Sequence, residues 1–154
     1  MKAATLPPIS VSNRQRKIAV DCAGLQDFAQ RALPLCARER GTGLTSLSQV
    51  DVLLISDRRI AQLHQQFMKI ASPTDVITFQ HGEIFISVET ARRQAKEQGT
   101  SLGHELRLYL VHGLLHLQGF DDHKAPARSR MAAVQEKILQ ALTGKSKQPP
   151  DFRY

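Results

Sequence analysis

The chain has 154 residues, enough for one domain with a real core and too few for two comfortable ones. Its 21 Lys and Arg against 14 Asp and Glu leave a formal charge of +7, which favours polyanionic partners such as nucleic acid, although a solvated basic surface gives the same sum. Two cysteines exclude a disulfide framework, and no apolar run approaches the roughly 20 residues of a membrane helix.

Pro7 and Pro8 precede Ile9-Ser10-Val11, whose alternation predicts an N-terminal strand after a loose tail over 1–7. From Asp21, Leu25, Phe28, Ala29, Ala32 and Leu33 recur at helical spacing, and Pro34 is expected to bend or end that helix early. Gly41-Thr42-Gly43 reads as a turn. Val50, Val52, Leu53, Leu54 and Ile55 then form the near-continuous apolar run of a buried central strand. Ser56 or Asp57 can cap a helix carrying Ile60, Leu63, His64 and Phe67 on one face, and Lys69 to Pro73 reads as a loop. Two strands follow, with Val76, Ile77 and Phe79 in one, Ile84 to Val88 in the next, and His81-Gly82 as the turn between them.

A short polar helix over Thr90 to Gln98 ends at Gly99, and Thr100 or Ser101 opens the next helix. Its Leu106, Tyr109, Leu110, Val111, Leu114, Leu115 and Leu117 are apolar nearly all round, which places it in the middle of a domain. Lys124 to Pro126 reads as a loop before a last amphipathic helix marked by Met131, Val134, Ile138, Leu139 and Leu142, with a frayed tail over 145–154. The order of elements predicts a single α+β domain over 1–154, a small mixed sheet covered by helices. Met1 to Asn13 lacks the apolar core of a signal peptide, so the cytoplasm is the expected location.

Chemistry concentrates between Val111 and Lys124, where three of the six histidines fall. His112 and His116, four residues apart, lie about 40° apart on one helix face with about 6 Å of rise, so both imidazoles can reach one metal ion. Two hydrogen-bonded core histidines would have the same spacing. The pair is followed by Gly119, where a left-handed residue would end the helix and turn the chain back, bringing His123 round as a third ligand. The alternative third ligand is Asp122. An all-imidazole shell of His112, His116 and His123 would keep the site more positive, and one extra residue in a turn costs little. Metallopeptidases of the H-E-x-x-H form keep a glutamate after the first histidine, whereas this chain has Gly113 and so lacks that base.

With Pro73-Thr74-Asp75-Val76-Ile77-Thr78-Phe79, then Gly82-Glu83-Ile84-Phe85-Ile86-Ser87, then His112-Gly113-Leu114-Leu115-His116-Leu117-Gln118-Gly119-Phe120-Asp121, the chain resembles the YbeY family from about Val50 to Leu142. The resemblance implies a four-stranded mixed sheet and three histidines on one zinc ion. It also implies a single-strand endoribonuclease that matures small-subunit ribosomal RNA and takes part in ribosome quality control, with the small ribosomal subunit and its assembly factors as partners. Two positions depart from the family pattern. The arginine expected beside the metal is Met68, with Lys69 as a stand-in phosphate contact that lacks a guanidinium's two-pronged reach. Asp122 occupies the family position of the third histidine, and His123 is one residue further on. Loss of the arginine leaves a second reading open, a catalytically weak ribosome-associated RNA-binding factor with a structural zinc.

Overall fold

The computed structural model describes residues 5–68 and 75–144, with Met68 described in its backbone alone. Lys69 and the expected loop over Lys69 to Pro73 lie outside the described residues, as do 1–4 and the expected tail over 145–154. Four strands, β1 (Ile9–Asn13), β2 (Val50–Ile55), β3 (Val76–Phe79) and β4 (Glu83–Ser87), form one sheet in the order β1-β2-β4-β3. β1, β2 and β4 run parallel, and β3 is antiparallel to β4, so the mixed four-stranded sheet of an α+β domain is present.

Two parallel neighbours require crossovers, supplied by α1 (Cys22–Ala37) between β1 and β2 and by α2 (Asp57–Met68) after β2. β3 and β4 are joined by a tight hairpin in which Gly82 takes φ +120° and donates its N–H to Phe79 O at 2.9 Å. A Cβ there would lie 2.3 Å from Gln49 O, so the turn accepts only glycine.

The sheet is buried on both faces, as the unbroken apolar run of β2 requires. Ile9, Val50, Val52, Leu54, Ile84 and Ile86 face a large core shared with α1 and α4 (Leu102–Gln118). Ile55 and Ile77 face a smaller one closed by Ile60 and Leu63 of α2, with Leu53, Phe79 and Phe85 at its margin. The remaining helices, α3 (Val88–Gln98) and α5 (Ala125–Thr143), both pack on α4. No helix of the described residues is long and apolar enough to cross a membrane.

Several boundaries differ from those expected. α1 continues through Pro34 to Ala37, because the buried Leu33 and Cys36 hold the last turn on the core and offset one missing backbone bond. Val88 opens α3 rather than extending β4, since the Ser87 hydroxyl accepts from Thr90 N at 3.2 Å and caps the helix. α5 starts before Pro126, whose missing N–H goes unused in a first helical turn. Pro7 is buried and Pro8 O accepts from Val50 N at 2.9 Å, so the sheet's hydrogen bonding begins before Ile9.

Candidate metal centre

α4 is touched by α1, α3, α5, β3 and β4, which is why its sequence is apolar nearly all round. Ser101 caps its start by accepting from His104 N at 3.0 Å. Two close approaches then fix its position. Against the sheet, a Cβ at Gly113 would lie 2.7 Å from Ile84 Cγ2, so this glycine lets α4 sit directly on β4. The residue after His112 is therefore set by packing, and a glutamate has no room there. At the far end, Gly41 and Gly43 press against Gln118 O and Leu117 O, at 2.4 Å and 1.8 Å from where their Cβ atoms would be.

The side chain of Gln118, fully buried, secures that contact. Its Nε2 donates to Ala37 O, Glu39 O and Gly41 O at 3.2, 2.9 and 2.8 Å, and its Oε1 accepts from Leu44 N at 3.1 Å. The last turn of the helix, which carries His116, is thus tied to the loop after α1. Gly119, at φ +123°, ends α4 and donates to His116 O and Leu115 O.

Beyond that glycine the chain doubles back as the sequence predicts. Asp121 Oδ1 accepts from His123 N at 2.9 Å, a local turn closed by an aspartate side chain. Asp122 points inward, with Oδ2 at 3.5 Å from His112 Nε2 and 3.4 Å from His116 Nε2, and the two Nε2 atoms are 3.0 Å apart. His123 points outward, its side chain 87% exposed and its Nε2 3.7 Å from Asp121 Oδ1. The structure therefore brings His112, His116 and Asp122 into one half-enclosed cluster. His123 groups instead with the exposed Asp121 and with Asp122.

Each imidazole of the pair is held by its other nitrogen. His116 Nδ1 donates to Phe120 O at 3.1 Å, and His112 Nδ1 lies 2.9 Å from Gln135 Oε1 on α5. A proton on each Nδ1 leaves both Nε2 atoms as lone-pair acceptors, and these converge with a carboxylate oxygen. Three acceptors so close repel one another unless a cation lies between them. A tetrahedral ion with ligands at about 2.0–2.1 Å would separate them by about 3.3 Å, which the observed edges bracket. Burial, helped by the neighbouring His116 and opposed by Gln135 and Asp122, pushes the His112 imidazolium down to about 4. His112 is thus neutral at pH 7, the form that binds metal. The cluster also lies at the C-terminal end of α4, where the helix dipole favours positive charge.

Of the residues flagged by sequence, Met68 closes the backbone of α2 and Lys69 lies outside the described residues. Sequence reading missed Gln135. Its signal was a polar side chain at helical spacing between Met131 and Ile138, on the buried stripe of α5.

A family model described as Endoribonuclease YbeY matches residues 10–143. The endoribonuclease YbeY of Pelotomaculum thermopropionicum is 35% identical over 150 residues, covering 88% of this chain and 97% of that one. The endoribonuclease YbeY of Heliobacterium modesticaldum is 38% identical over 125 residues, covering 68% and 75%. The solution structure of TM1509 from Thermotoga maritima matches with a TM-score of 0.63 at 25% identity, covering 88% of this chain and 89% of that one. From β1 to the end of α5, the chain belongs to the Endoribonuclease YbeY family.

Proposed function

We propose that the protein is a zinc-dependent endoribonuclease that cleaves single-stranded RNA in the maturation of small-subunit ribosomal RNA and in ribosome quality control. Its partners on this reading are the small ribosomal subunit and its assembly factors, its location is the cytoplasm, and residues 1–154 act as one domain. The observation that carries the chemistry is the convergence of His112 Nε2, His116 Nε2 and Asp122 Oδ2 on one point, in a chain of this family.

His112 and His116 would hold one zinc ion, with Asp122 as the third ligand in preference to His123. Supporting that preference, Asp122 Oδ2 already lies 3.4 Å from His116 Nε2, whereas His123 is almost fully exposed. Zinc bound by three side chains supplies a Lewis acid and a water with a pKa near 7. The chain's own part is to keep both imidazoles neutral and aimed, through Gln135 and Phe120 O, and to leave one side of the cluster open to solvent at His116 and Asp122. Negative charge building on a scissile phosphate calls for a cation nearby. Lys124, Arg128 and Arg130, exposed at and beyond the start of α5 just after Asp122, stand in that direction along the chain.

The direct test is cleavage of a single-stranded RNA with and without a chelator. Chelator-sensitive cleavage that returns with zinc and is lost in His116→Ala supports the reading. Methionine at position 68, where the family pattern has arginine, favours the second reading of an RNA-binding factor with a structural zinc. That reading predicts zinc-retaining protein that binds RNA without cutting it.

A further inference from the structure

The least expected side chain in the interface of α4 and α5 is Gln135. It is fully buried, one turn after Met131 and one before Ile138 and Leu139, on a helix face otherwise given to the core. Burying an amide costs free energy unless its polar atoms are bonded, and a methionine or leucine would pack the same space without that cost. The amide's Oε1 lies 2.9 Å from His112 Nδ1, 23 residues away on another helix. His112 itself is buried, so water does not offer that nitrogen a partner in its place.

We infer that Gln135 is a positioning residue for the metal centre. It accepts the Nδ1 proton of His112, which fixes the tautomer whose Nε2 lone pair faces His116 and Asp122. The reversed tautomer would put a proton on Nε2, in the 3.0 Å gap between the two imidazoles, where the cation belongs. His116 needs no such partner from a side chain, because the backbone carbonyl of Phe120 can only accept. A neutral acceptor also suits this cluster's charge. With Asp122 supplying one negative charge, a divalent ion leaves the centre at a net +1, and a carboxylate at position 135 would cancel the remainder. Docking of α5 and metal retention are thereby linked through one hydrogen bond.

This inference rests on the proposed metal centre, and the test separates the two. Zinc affinity is measured by competition with a chromophoric chelator for the wild type, His116→Ala, Gln135→Met and Gln135→Glu. Gln135→Met keeps the volume and loses the acceptor, and Gln135→Glu keeps an acceptor. Loss of such a partner typically weakens metal affinity about 10–100-fold, which is the drop expected for Gln135→Met. Gln135→Glu should bind zinc at least as tightly as the wild type. Metal-free Gln135→Met should still unfold cooperatively but at a lower denaturant concentration than the wild type, since the buried Nδ1 proton of His112 loses its acceptor. In zinc-bound protein, the His112 Nδ1 proton should be slow to exchange in the wild type and in Gln135→Glu, and faster in Gln135→Met. Affinity of Gln135→Met within twofold of the wild type would overturn the inference while leaving the metal centre standing. So would weak binding by both Gln135 variants, which would mean that packing alone is at work. Wild type that binds zinc no better than His116→Ala would overturn both.

Discussion

A methyl group added at position 113 tests whether the contact between α4 and β4 is as close as the structure shows. The Cβ of Gly113→Ala would lie 2.7 Å from Ile84 Cγ2, 3.0 Å from Cδ1 and 3.2 Å from Cγ1. Ordinary contact begins near ~3.4 Å, so helix and strand would have to separate by about 0.7 Å. Ile84 is fully buried and branched next to the backbone, so it cannot swing aside. Overpacking of this kind costs about 1–3 kcal/mol, while alanine's better helix propensity returns about 1 kcal/mol. The net is about 0–2 kcal/mol of destabilisation, and each kcal/mol lowers the melting temperature by about 2–4 °C in a chain of this size. The decisive comparison is the same substitution in an Ile84→Ala background, where all three clashing atoms are gone. There Gly113→Ala should stabilise by about 1 kcal/mol, so the effect changes sign and the coupling is about 1–3 kcal/mol. Urea unfolding of the four proteins measures it. Equal effects in the two backgrounds, to within about 0.5 kcal/mol, would refute the reasoning.

Four further outcomes are expected. Zinc titration should show binding lost or strongly weakened in Asp122→Ala and unchanged in His123→Ala, and the reverse pattern would return the third ligand to His123. Because His112 titrates near 4 in the fold and near its ordinary 6.5 when unfolded, the unfolded chain binds more protons between those values. Metal-free protein should therefore lose stability as pH falls from about 6.5 toward 4, more steeply than His112→Gln, and parallel pH profiles in denaturant would contradict this. RNA affinity should drop steeply between low and physiological salt, because a chain at +7 with few aromatics binds through phosphates, and a flat salt profile would count against that. Finally, Met68→Arg should raise RNA cleavage if a guanidinium at that place stabilises the phosphate, whereas equal rates would remove position 68 from the reaction.

Sequence carried the fold wherever one rule dominated. β2 announced its double burial by an unbroken apolar run, and α4 its central place by apolar residues on every side. Sequence misled where tertiary contacts outvoted a local signal. Pro34 breaks an isolated helix, but inside α1 its neighbours Leu33 and Cys36 are both buried, and the helix goes on. Val88 has a strand's side chain, yet the Ser87 cap assigns it to α3. At the metal centre, the four-residue spacing of His112 and His116 was legible because helix geometry converts spacing directly into direction. The choice between Asp122 and His123 was not, because the direction of each side chain in an irregular turn depends on its backbone angles, which residue spacing does not give. Gln135 was invisible as a partner of His112 for a plainer reason. Nothing local relates two residues on different helices until α5 is docked.

On the proposed assignment of Asp122 as third ligand, a carboxylate in place of an imidazole and the absence of the family's arginine at position 68 would act on substrate binding in the same direction. A divalent ion held by three imidazoles would leave the centre at +2, and replacing one imidazole by Asp122 leaves it at +1. The arginine that the family pattern places beside the metal would add a further positive charge, and Met68 does not. On both counts such a centre would attract a phosphate less strongly, and the attraction would have to come from elsewhere on the chain. Two cations elsewhere on the chain, Arg93 of α3 and Lys17 ahead of α1, are already paired with carboxylates. Arg93 is 2.7 Å from Asp57 Oδ2, and although burial pushes the Asp57 carboxyl up, hydrogen bonds from Arg93, Ser87 and Thr90 outweigh it and hold the carboxyl below its ordinary range. Lys17 is 3.8 Å from Glu89. Lys124, Arg128 and Arg130 are exposed and directly follow Asp122 in sequence, which makes them the first candidates to test for that attraction. Reversing the charge at Lys124 or Arg128 should therefore weaken RNA binding and flatten its salt dependence, while zinc affinity stays the same. RNA binding that is unchanged in Lys124→Glu/Arg128→Glu would show that the phosphates lie along some other face of the molecule.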